Sequence, residues 1–193
     1  MKKIIVIDNY DSFTYNLVHI LRELGLGKQM RIVRNDQFEL QEVADYDQIL
    51  LSPGPGVPRD AGLMPQVLQT YGEDKSILGV CLGHQAIGEA FGARLYNLPL
   101  VYHGVTTGIT LGEKDDLFYG LPGSFTVCRY HSWVIEKETL PDELLITSED
   151  PDGRVMSVRH KELDIRGVQF HPESIMTQHG KKMIDNWIQL STK

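Results

Sequence analysis

The segment ILGVCLGHQ at residues 77–85 restricts the possible folds of this chain more than any other stretch. Residues 77–80 form a short apolar run that predicts a buried strand, and residues 86–91 predict a helix that ends at Gly92. A glycine stands two residues to either side of Cys81, so the chain can turn sharply from strand to helix. A strand–turn–helix unit of this kind is typical of α/β proteins.

The same turn makes Cys81 a candidate nucleophile. A sharp elbow holds the side chain outward at the N-terminus of a helix, where the helix dipole favours a thiolate. Unpaired backbone N–H groups at that terminus can also stabilise an oxyanion. The structural alternative is a free cysteine buried at the end of a strand, which is common. The elbow pattern favours the nucleophile.

A candidate base and its orienting carboxylate lie much later in the chain. The apolar run at residues 167–170 ends in His171, which is followed by a proline that fixes the direction of the chain. Glu173, two residues on, can reach the imidazole and fix its tautomer. Cys81, His171 and Glu173 therefore form a candidate nucleophile–base–carboxylate triad. Taken alone, His171 would be read as one of seven histidines with structural or surface roles.

The first half of the chain predicts a doubly wound, mostly parallel sheet flanked by helices. A β-branched run at residues 3–8 is typical of a strand buried on both faces. Residues 13–24 have helical spacing, and residues 31–34 and 48–52 predict further strands. The functional residues of such sheets usually lie at the carboxyl ends of the strands. The residues at those ends are Asp8, Ser52, Cys81 and His171.

The second half of the chain predicts additional, antiparallel strands with little helix. A closing amphipathic helix is expected at residues 178–190. The length of 193 residues fits one compact domain, so residues 1–193 are expected to form a single unit. The predicted strands are residues 108–111, 124–130, 144–148, 155–159 and 165–170.

Composition excludes several classes of function. The net charge is −7, from 19 basic and 26 acidic residues without a basic cluster, so no nucleic-acid partner is expected. Two cysteines argue against a disulfide framework and for a reducing compartment. The apolar start is too short for a signal peptide, and no stretch has transmembrane length, so we expect a cytoplasmic protein without membrane contact. No metal-binding cluster is visible, and neither a metal nor a cofactor is expected.

Several motifs together resemble the class I (triad) glutamine amidotransferases. SPGPG at residues 52–56, GVCLGHQ at 79–85 and QFHPES at 169–174 are similar to signatures of that family. DNYDSFTYNL at residues 8–17 and RYHS at 129–132 resemble the branch of anthranilate synthase component II and aminodeoxychorismate synthase component II. The resemblance covers the whole chain. It implies an open α/β sheet and hydrolysis of L-glutamine to glutamate and ammonia by the triad.

The resemblance also implies a glutamine pocket. From the residues alone, the loop at 52–56 reads as a stiff surface turn, whose prolines exclude a phosphate cradle. A lone Gln85 in the first turn of a helix reads as a helix former, and His131 and Cys128 read as structural or pocket-lining residues. The family implies an oxyanion hole from the backbone N–H groups of Gly54 and Leu82. The residues implied to surround glutamine are Gly54, Pro55, Gly56, Leu82, Gln85, Ser132 and Trp133.

The resemblance implies a partner that consumes the ammonia, because no motif for ATP or chorismate is visible here. That partner would be a chorismate-binding synthase large subunit, component I. The resemblance favours anthranilate synthase of tryptophan biosynthesis. The alternative is an aminodeoxychorismate synthase of folate biosynthesis, or a subunit that serves both enzymes. Val105, where the family often has lysine, and Trp133, where it has a smaller residue, leave this choice open.

Aromatic residues predict where such a partner would dock. Tyr10, Phe13 and Tyr15 follow the first predicted strand, and residues 102–105 join them in the predicted docking face. The alternative is that these aromatic side chains cap the local core. Two other classes of function also stay open: another elbow-cysteine enzyme, such as a protease or deglycase, and a non-catalytic flavodoxin-like binding module.

Overall fold

A nine-stranded sheet runs through the protein in a computed structural model that describes residues 2–190. Helices pack on both faces of this sheet, and a two-stranded sheet lies beside it. The strands are β1 (Ile4–Asp8), β2 (Met30–Arg34), β3 (Gln48–Leu51), β4 (Ser76–Val80), β5 (Leu95–Asn97), β6 (Val105–Leu111), β7 (Ser124–Arg129), β8 (Trp133–Ile135), β9 (Leu144–Glu149), β10 (Val155–His160) and β11 (Ile165–Val168). The α-helices are α1 (Thr14–Glu23), α2 (Met64–Tyr71), α3 (Leu82–Ala90) and α4 (Gly180–Leu190).

The large sheet is parallel on one side and antiparallel on the other. Its order is β2-β1-β3-β4-β11-β10-β9-β6-β7. The strands from β2 to β11 run parallel to one another, and the pairs beyond β11 are antiparallel. The predicted α/β class, with a mostly parallel open sheet and added antiparallel strands, is confirmed. β11 is the junction, because it pairs parallel with β4 and antiparallel with β10.

The parallel strands are buried on both faces, as their continuous apolar runs predict. In β1, Ile4 and Val6 join a core that includes side chains of α1 and α4, whereas Ile5 and Ile7 join a core that includes α2 and α3. All four side chains are inaccessible to solvent. This two-sided burial fixes the register of the central strands and therefore the edge at which their carboxyl ends meet.

Several elements differ from the sequence prediction. The helix expected at residues 86–91 begins at Leu82, immediately after Cys81, and ends at Ala90. The helix α2 and the short strands β5 and β8 are not predicted, because their apolar residues are few and their pairing partners are distant. Within residues 2–190, no helix is both long and apolar enough to cross a membrane.

Candidate active site

Cys81 occupies a strained turn between β4 and α3. Its φ of 51° and ψ of −98° are unusual for a residue other than glycine. The flanking glycines are required by contact: a Cβ on Gly79 would lie 2.4 Å from the carbonyl carbon of Gly83, and a Cβ on Gly83 would lie 2.6 Å from the Leu51 carbonyl oxygen. The backbone therefore crosses itself so closely that only glycine fits at either position. This is the predicted elbow.

The sheet register brings His171 next to this elbow. β4 and β11 are parallel neighbours, and Val80 pairs with Val168 at their carboxyl ends. The Cys81 backbone N–H also donates to the Val168 carbonyl at 2.8 Å. Residues that leave two adjacent parallel strands at the same edge emerge side by side. Cys81 and His171 therefore meet at this edge although they are far apart in sequence.

His171 is held by Glu173 in a buried pair. Its Nδ1 lies 2.6 Å from Glu173 Oε1, and both side chains are nearly inaccessible. Burial disfavours the charged ring, but interactions with the Cys81 sulfur and the Glu173 carboxylate outweigh it and raise the pKa of His171 to about 10. The other ring nitrogen, Nε2, makes no well-aligned hydrogen bond to any residue between 2 and 190. Nε2 is thus the atom left to exchange a proton with the thiol.

The backbone around His171 is also fixed by hydrogen bonds. Its N–H donates to the Cys128 carbonyl at 3.0 Å, and Thr177 Oγ1 donates to the His171 carbonyl at 2.6 Å. Cys128 itself is fully buried in β7. The rings of Phe13 and Tyr130 pack edge-on against the imidazole, at centroid distances of 5.4 and 5.0 Å. The ring therefore has little freedom to rotate away from Cys81.

A cavity of about 230 Å³ opens beside the thiol. Cys81 is only 5% exposed, so this cavity is one of its few routes to solvent. Of the residues predicted to surround glutamine, all but Leu82 line it; Leu82 is buried beneath, where its Cδ2 would touch a Cβ placed on Gly54. The lining consists of Gly54, Pro55, Gly56, Cys81, Gln85, Val101, Tyr102, His103, Tyr130, His131, Ser132 and Trp133.

The loop of Gly54 forms one rim of this cavity and is tied to the end of β1. Asn9 donates from its side chain to the Ser52 carbonyl at 2.8 Å, and its backbone N–H donates to Ser52 Oγ at 2.9 Å. A Cβ on Gly54 would lie 2.5 Å from the Asn9 Cβ. The loop is thus a packed part of the site rather than a free surface turn.

Gln85 reaches across the floor of the cavity to the opposite wall. Its Nε2 donates to the Trp133 carbonyl at 2.9 Å and lies 3.3 Å from Gln169 Oε1. Gln169 Nε2 in turn donates to Cys81 Sγ at 3.7 Å. Gln169 is absent from the sequence prediction, although it lies two residues before His171 in the QFHPES motif. The sequence feature that could have indicated Gln169 is the alternation of a polar and an apolar residue, Gln169 and Phe170, at the end of the strand before His171.

The wall opposite the elbow is held by a buried ion pair. Arg129 Nη1 lies 2.9 Å from Asp150 Oδ2, and Arg129 Nε donates to His131 Nε2 at 3.1 Å. His131 must then carry its proton on Nδ1, which lies 3.0 Å from the Trp133 carbonyl. Burial and the nearby Arg129 lower the pKa of His131 to about 3. A permanently neutral histidine with both nitrogens occupied supports the wall and is poorly suited to be the base.

His84 is a second buried neutral histidine, located beneath the elbow. Its side chain is inaccessible, and burial lowers its pKa to about 3. A Cβ on Gly167 would lie 2.8 Å from His84 Nδ1, so the imidazole packs directly on the backbone of β11. The ring fills the space between α3 and the strand that leads to His171.

A second cavity, of about 330 Å³, lies on the other side of Cys81. It extends to His171 and the loop after β1, and the residues that it shares with the first cavity are Gly54, Pro55, Cys81, His103 and Tyr130. The aromatic residues of the predicted docking face differ in how exposed they are. Phe13 packs against Tyr130 at 4.8 Å, whereas Tyr10 and Tyr15 are about half exposed.

Among the described residues, no group of three or more histidine, cysteine, aspartate or glutamate side chains is arranged to hold a metal ion.

Comparison with known proteins identifies this architecture. A family model described as glutamine amidotransferase class-I matches residues 5–190. The chain is 48% identical to anthranilate synthase beta subunit 1 of Oryza sativa and covers 66% of that protein, with 96% of its own length aligned. It is 42% identical to the aminodeoxychorismate/anthranilate synthase component 2 of Bacillus subtilis, with 98% of the chain and 97% of that protein covered.

Two further similarities extend this picture. The chain is 41% identical to the bifunctional protein TrpGD of Thermotoga maritima, with 98% of the chain aligned, but it spans only 32% of that longer protein. A solved structure from Thermoplasma acidophilum, described as a GMP synthase subunit, is 30% identical, with a TM-score of 0.88 over 99% of this chain and 94% of that one. The fold is therefore shared over nearly the whole length of the chain.

Proposed function

The chain belongs to the class I glutamine amidotransferases, and on that basis we propose that Cys81, His171 and Glu173 hydrolyse L-glutamine to glutamate and ammonia. It lies in the branch of the anthranilate synthase and aminodeoxychorismate synthase component II subunits. The proposal treats residues 1–193 as one amidotransferase domain. Membership of this family also argues against the flavodoxin-like module and against a protease or deglycase.

The chemistry follows from the placement of the three side chains. The Cys81 proton resides on His171 Nε2, since the pKa of that imidazole is raised to about 10, and the Cys81 thiolate attacks the side-chain amide carbon of glutamine. The C–N bond then breaks as His171 returns its proton to the leaving ammonia, which leaves a thioester on Cys81. A water molecule, deprotonated by His171, attacks the thioester and releases glutamate and the free thiol. Glu173 holds Nδ1 of His171 and stabilises the imidazolium in each half of the reaction.

Backbone N–H groups supply the oxyanion site in this proposal. Leu82 begins α3, where the helix leaves its first N–H groups without intrahelical partners. The Gly54 loop lies against the Leu82 side chain and lines the same cavity as Cys81. Two such donors would stabilise the negative charge that develops on the amide oxygen, and one of them typically contributes about 3 kcal/mol.

The observation that carries the proposal is the pairing of Val80 with Val168 at the carboxyl ends of β4 and β11. That pairing sets Cys81, which lines the first cavity, beside His171, which lines the second cavity and is held by Glu173. Gln85, Ser132 and Trp133 line the far side of the cavity, where the amino-acid end of glutamine would lie. The cavity has room for one small polar molecule.

Ammonia must then reach a second protein, which we propose is a chorismate-binding synthase large subunit. Apolar side chains are exposed around the two cavities: Val101 is 74% exposed, Tyr10 49% and Val105 43%. Ile175 and Met176, which lie two and three residues after Glu173, are also exposed. Exposed apolar surface around a reactive site marks an interface. Anthranilate synthase is the first candidate for the partner, and the name of the Bacillus subtilis relative keeps aminodeoxychorismate synthase as the alternative.

The test is ammonia release from glutamine by the purified chain, alone and with each type of large subunit, with and without chorismate. We expect slow release by the isolated chain and an acceleration of at least about tenfold with the correct chorismate-loaded partner. Absence of ammonia release under every condition would refute the enzymatic proposal. A full rate in the isolated chain, unaltered by either large subunit, would refute only the control by a partner.

A further inference from the structure

A chain of side-chain amides connects the wall of the cavity to the Cys81 thiol. Gln85 Nε2 donates to the Trp133 carbonyl at 2.9 Å and lies 3.3 Å from Gln169 Oε1. Gln169 Nε2 lies 3.7 Å from Cys81 Sγ, within the range of a hydrogen bond to sulfur. Gln169 is fully buried, and Gln85 is nearly so. The proposed mechanism above uses no part of this chain between Gln85 and the sulfur.

The direction of every hydrogen bond in this chain is fixed by its first member. The Trp133 carbonyl oxygen can only accept, so Gln85 must present its NH₂ group to it. The second hydrogen of that NH₂ group points to Gln169, which must therefore present its oxygen. The remaining end of Gln169, its NH₂ group, is then the one that faces Cys81. The wall of the cavity thus sets which end of Gln169 the sulfur meets.

A buried N–H donor that faces a sulfur atom favours the anionic form of that sulfur, because a hydrogen bond to an ion is stronger than one to a neutral group. We propose that Gln169 is a positioning residue that stabilises the Cys81 thiolate and aims it at the substrate, with its own orientation set through Gln85. The inference rests on the proposed role of Cys81 as the nucleophile. It adds that a residue lining the glutamine pocket, Gln85, also controls the reactivity of the thiol.

The experiment measures the rate of Cys81 alkylation by iodoacetamide against pH, without glutamine, and quantifies the Cys81 peptide by mass spectrometry. Gln169→Leu removes the donor, and we expect the midpoint of the profile to move upward by about one pH unit. Gln169→Glu replaces the donor with a carboxylate oxygen and should move the midpoint further. Gln85→Leu keeps Gln169 but releases its orientation and should produce a smaller shift in the same direction.

A shift in the pH profile of Cys81 alkylation can be assigned to Gln169 only if the other titratable groups around the thiol are the same in every variant. Gln69→Glu, on the exposed side of α2, introduces the same charge away from the site and should leave the midpoint in place. The groups retained in every variant are His171 with Glu173 after β11, Tyr130 and His131 after β7, and His103 before β6.

Activity provides a second readout that a purely structural role would not produce. The kcat/KM of Gln169→Leu for glutamine should fall about tenfold at neutral pH and recover as the pH rises, because alkali restores the thiolate. An alkylation midpoint at the wild-type pH in folded Gln169→Leu or Gln169→Glu would overturn the inference. If neither variant folds, an unshifted midpoint in Gln85→Leu overturns it instead. Cys81→Ala tests the nucleophile separately, so the two proposals can fail independently.

Discussion

The elbow and the wall face each other across one cavity but are held in place by different means. On the elbow side, the position of Cys81 depends on close contacts of two glycines: Gly79 lies against the backbone of Gly83, and Gly83 lies against Leu51 of β3. On the wall side, Trp133 at the start of β8 is held through His131 by the buried pair of Arg129 and Asp150. The first support is close contact of backbone atoms, and the second is a pair of charged side chains 21 positions apart.

This difference determines which property a mutation on each side of the cavity should impair. A backbone crossing leaves no space for an added side chain, so a substitution at Gly79 or Gly83 should destabilise the central strands and not merely displace Cys81. An ion-pair support can be weakened while the fold persists, so changes at the wall should alter glutamine binding before they alter chemistry. Mutations on the two sides therefore separate stability and nucleophile placement from substrate affinity.

Gly79→Ala should have the largest effect on stability. The new Cβ would lie 2.4 Å from the Gly83 carbonyl carbon and 2.8 Å from the His84 nitrogen, both backbone atoms that cannot move independently. We expect a loss of at least about 4 kcal/mol in the free energy of unfolding, measured by urea titration. Gly123→Ala is the control, because no atom lies within 4 Å of a Cβ placed there and its φ is not positive. Equal stability of the two variants would contradict the elbow geometry.

Asp150→Asn should weaken the wall by a smaller amount. It leaves the charge of Arg129 buried without its partner, which costs about 3 kcal/mol in the free energy of unfolding. The KM for glutamine should rise more than kcat falls, because His131 and Trp133 lose their support. Asp152→Asn is the control, because Asp152 pairs with Arg154 but its side chain is 65% exposed. This substitution should lower the free energy of unfolding by less than about 0.5 kcal/mol. If both variants bind glutamine like the wild type, the ion pair does not support the pocket.

Acid should destabilise the protein partly through two buried histidines, His84 beneath the elbow and His131 in the wall. His84 and His131 have folded pKa values of about 3, below the value of about 6.5 expected in the unfolded chain. The unfolded state therefore binds more protons between these limits, and stability falls as the pH drops from 6.5 towards 3. His171 behaves in the opposite way: its raised pKa contributes stability that is present below pH 6.5 and lost as the pH rises towards about 10.

The variant that tests this acid effect is His131→Gln. It should reduce the slope of the free energy of unfolding against pH by up to about 1.4 kcal/mol per pH unit between pH 6 and 4. His19→Gln, on an exposed face of α1, provides the matched control. An unaltered slope in folded His131→Gln would show that this histidine is not held neutral by the wall.

Gln85→Ala should have the smallest effect of this series. It removes a side chain that lines the cavity and bonds to the Trp133 carbonyl, and alanine suits the first turn of a helix. The KM for glutamine should rise about five- to tenfold, which corresponds to the loss of one hydrogen bond. Steady-state kinetics at saturating partner concentration measure this change. Wild-type kinetics in the folded variant would remove Gln85 from the glutamine pocket.

The same contrast explains how much could be predicted from the sequence. The parallel strands and the elbow are encoded by apolar runs and by glycines at fixed spacing, so the sequence predicts them within a few residues. The sheet then brings together Cys81, His171 and Glu173, which the sequence could name but could not place. The bonds of Arg129 to Asp150 and of Gln85 to Gln169 join residues 21 and 84 positions apart, and no local pattern encodes such pairs.

The measurement that tests the central claim most directly compares two nitrogen sources in Cys81→Ala. In the complex with the chorismate-binding large subunit, product formation from glutamine should fall at least about a thousandfold, because the thioester cannot form. Product formation from added ammonium salt should stay within about twofold of the wild type, since the large subunit is intact and the fold around Ala at this turn remains. A Cys81→Ala complex that still forms product from glutamine at a substantial fraction of the wild-type rate would contradict the assignment of Cys81 as the nucleophile.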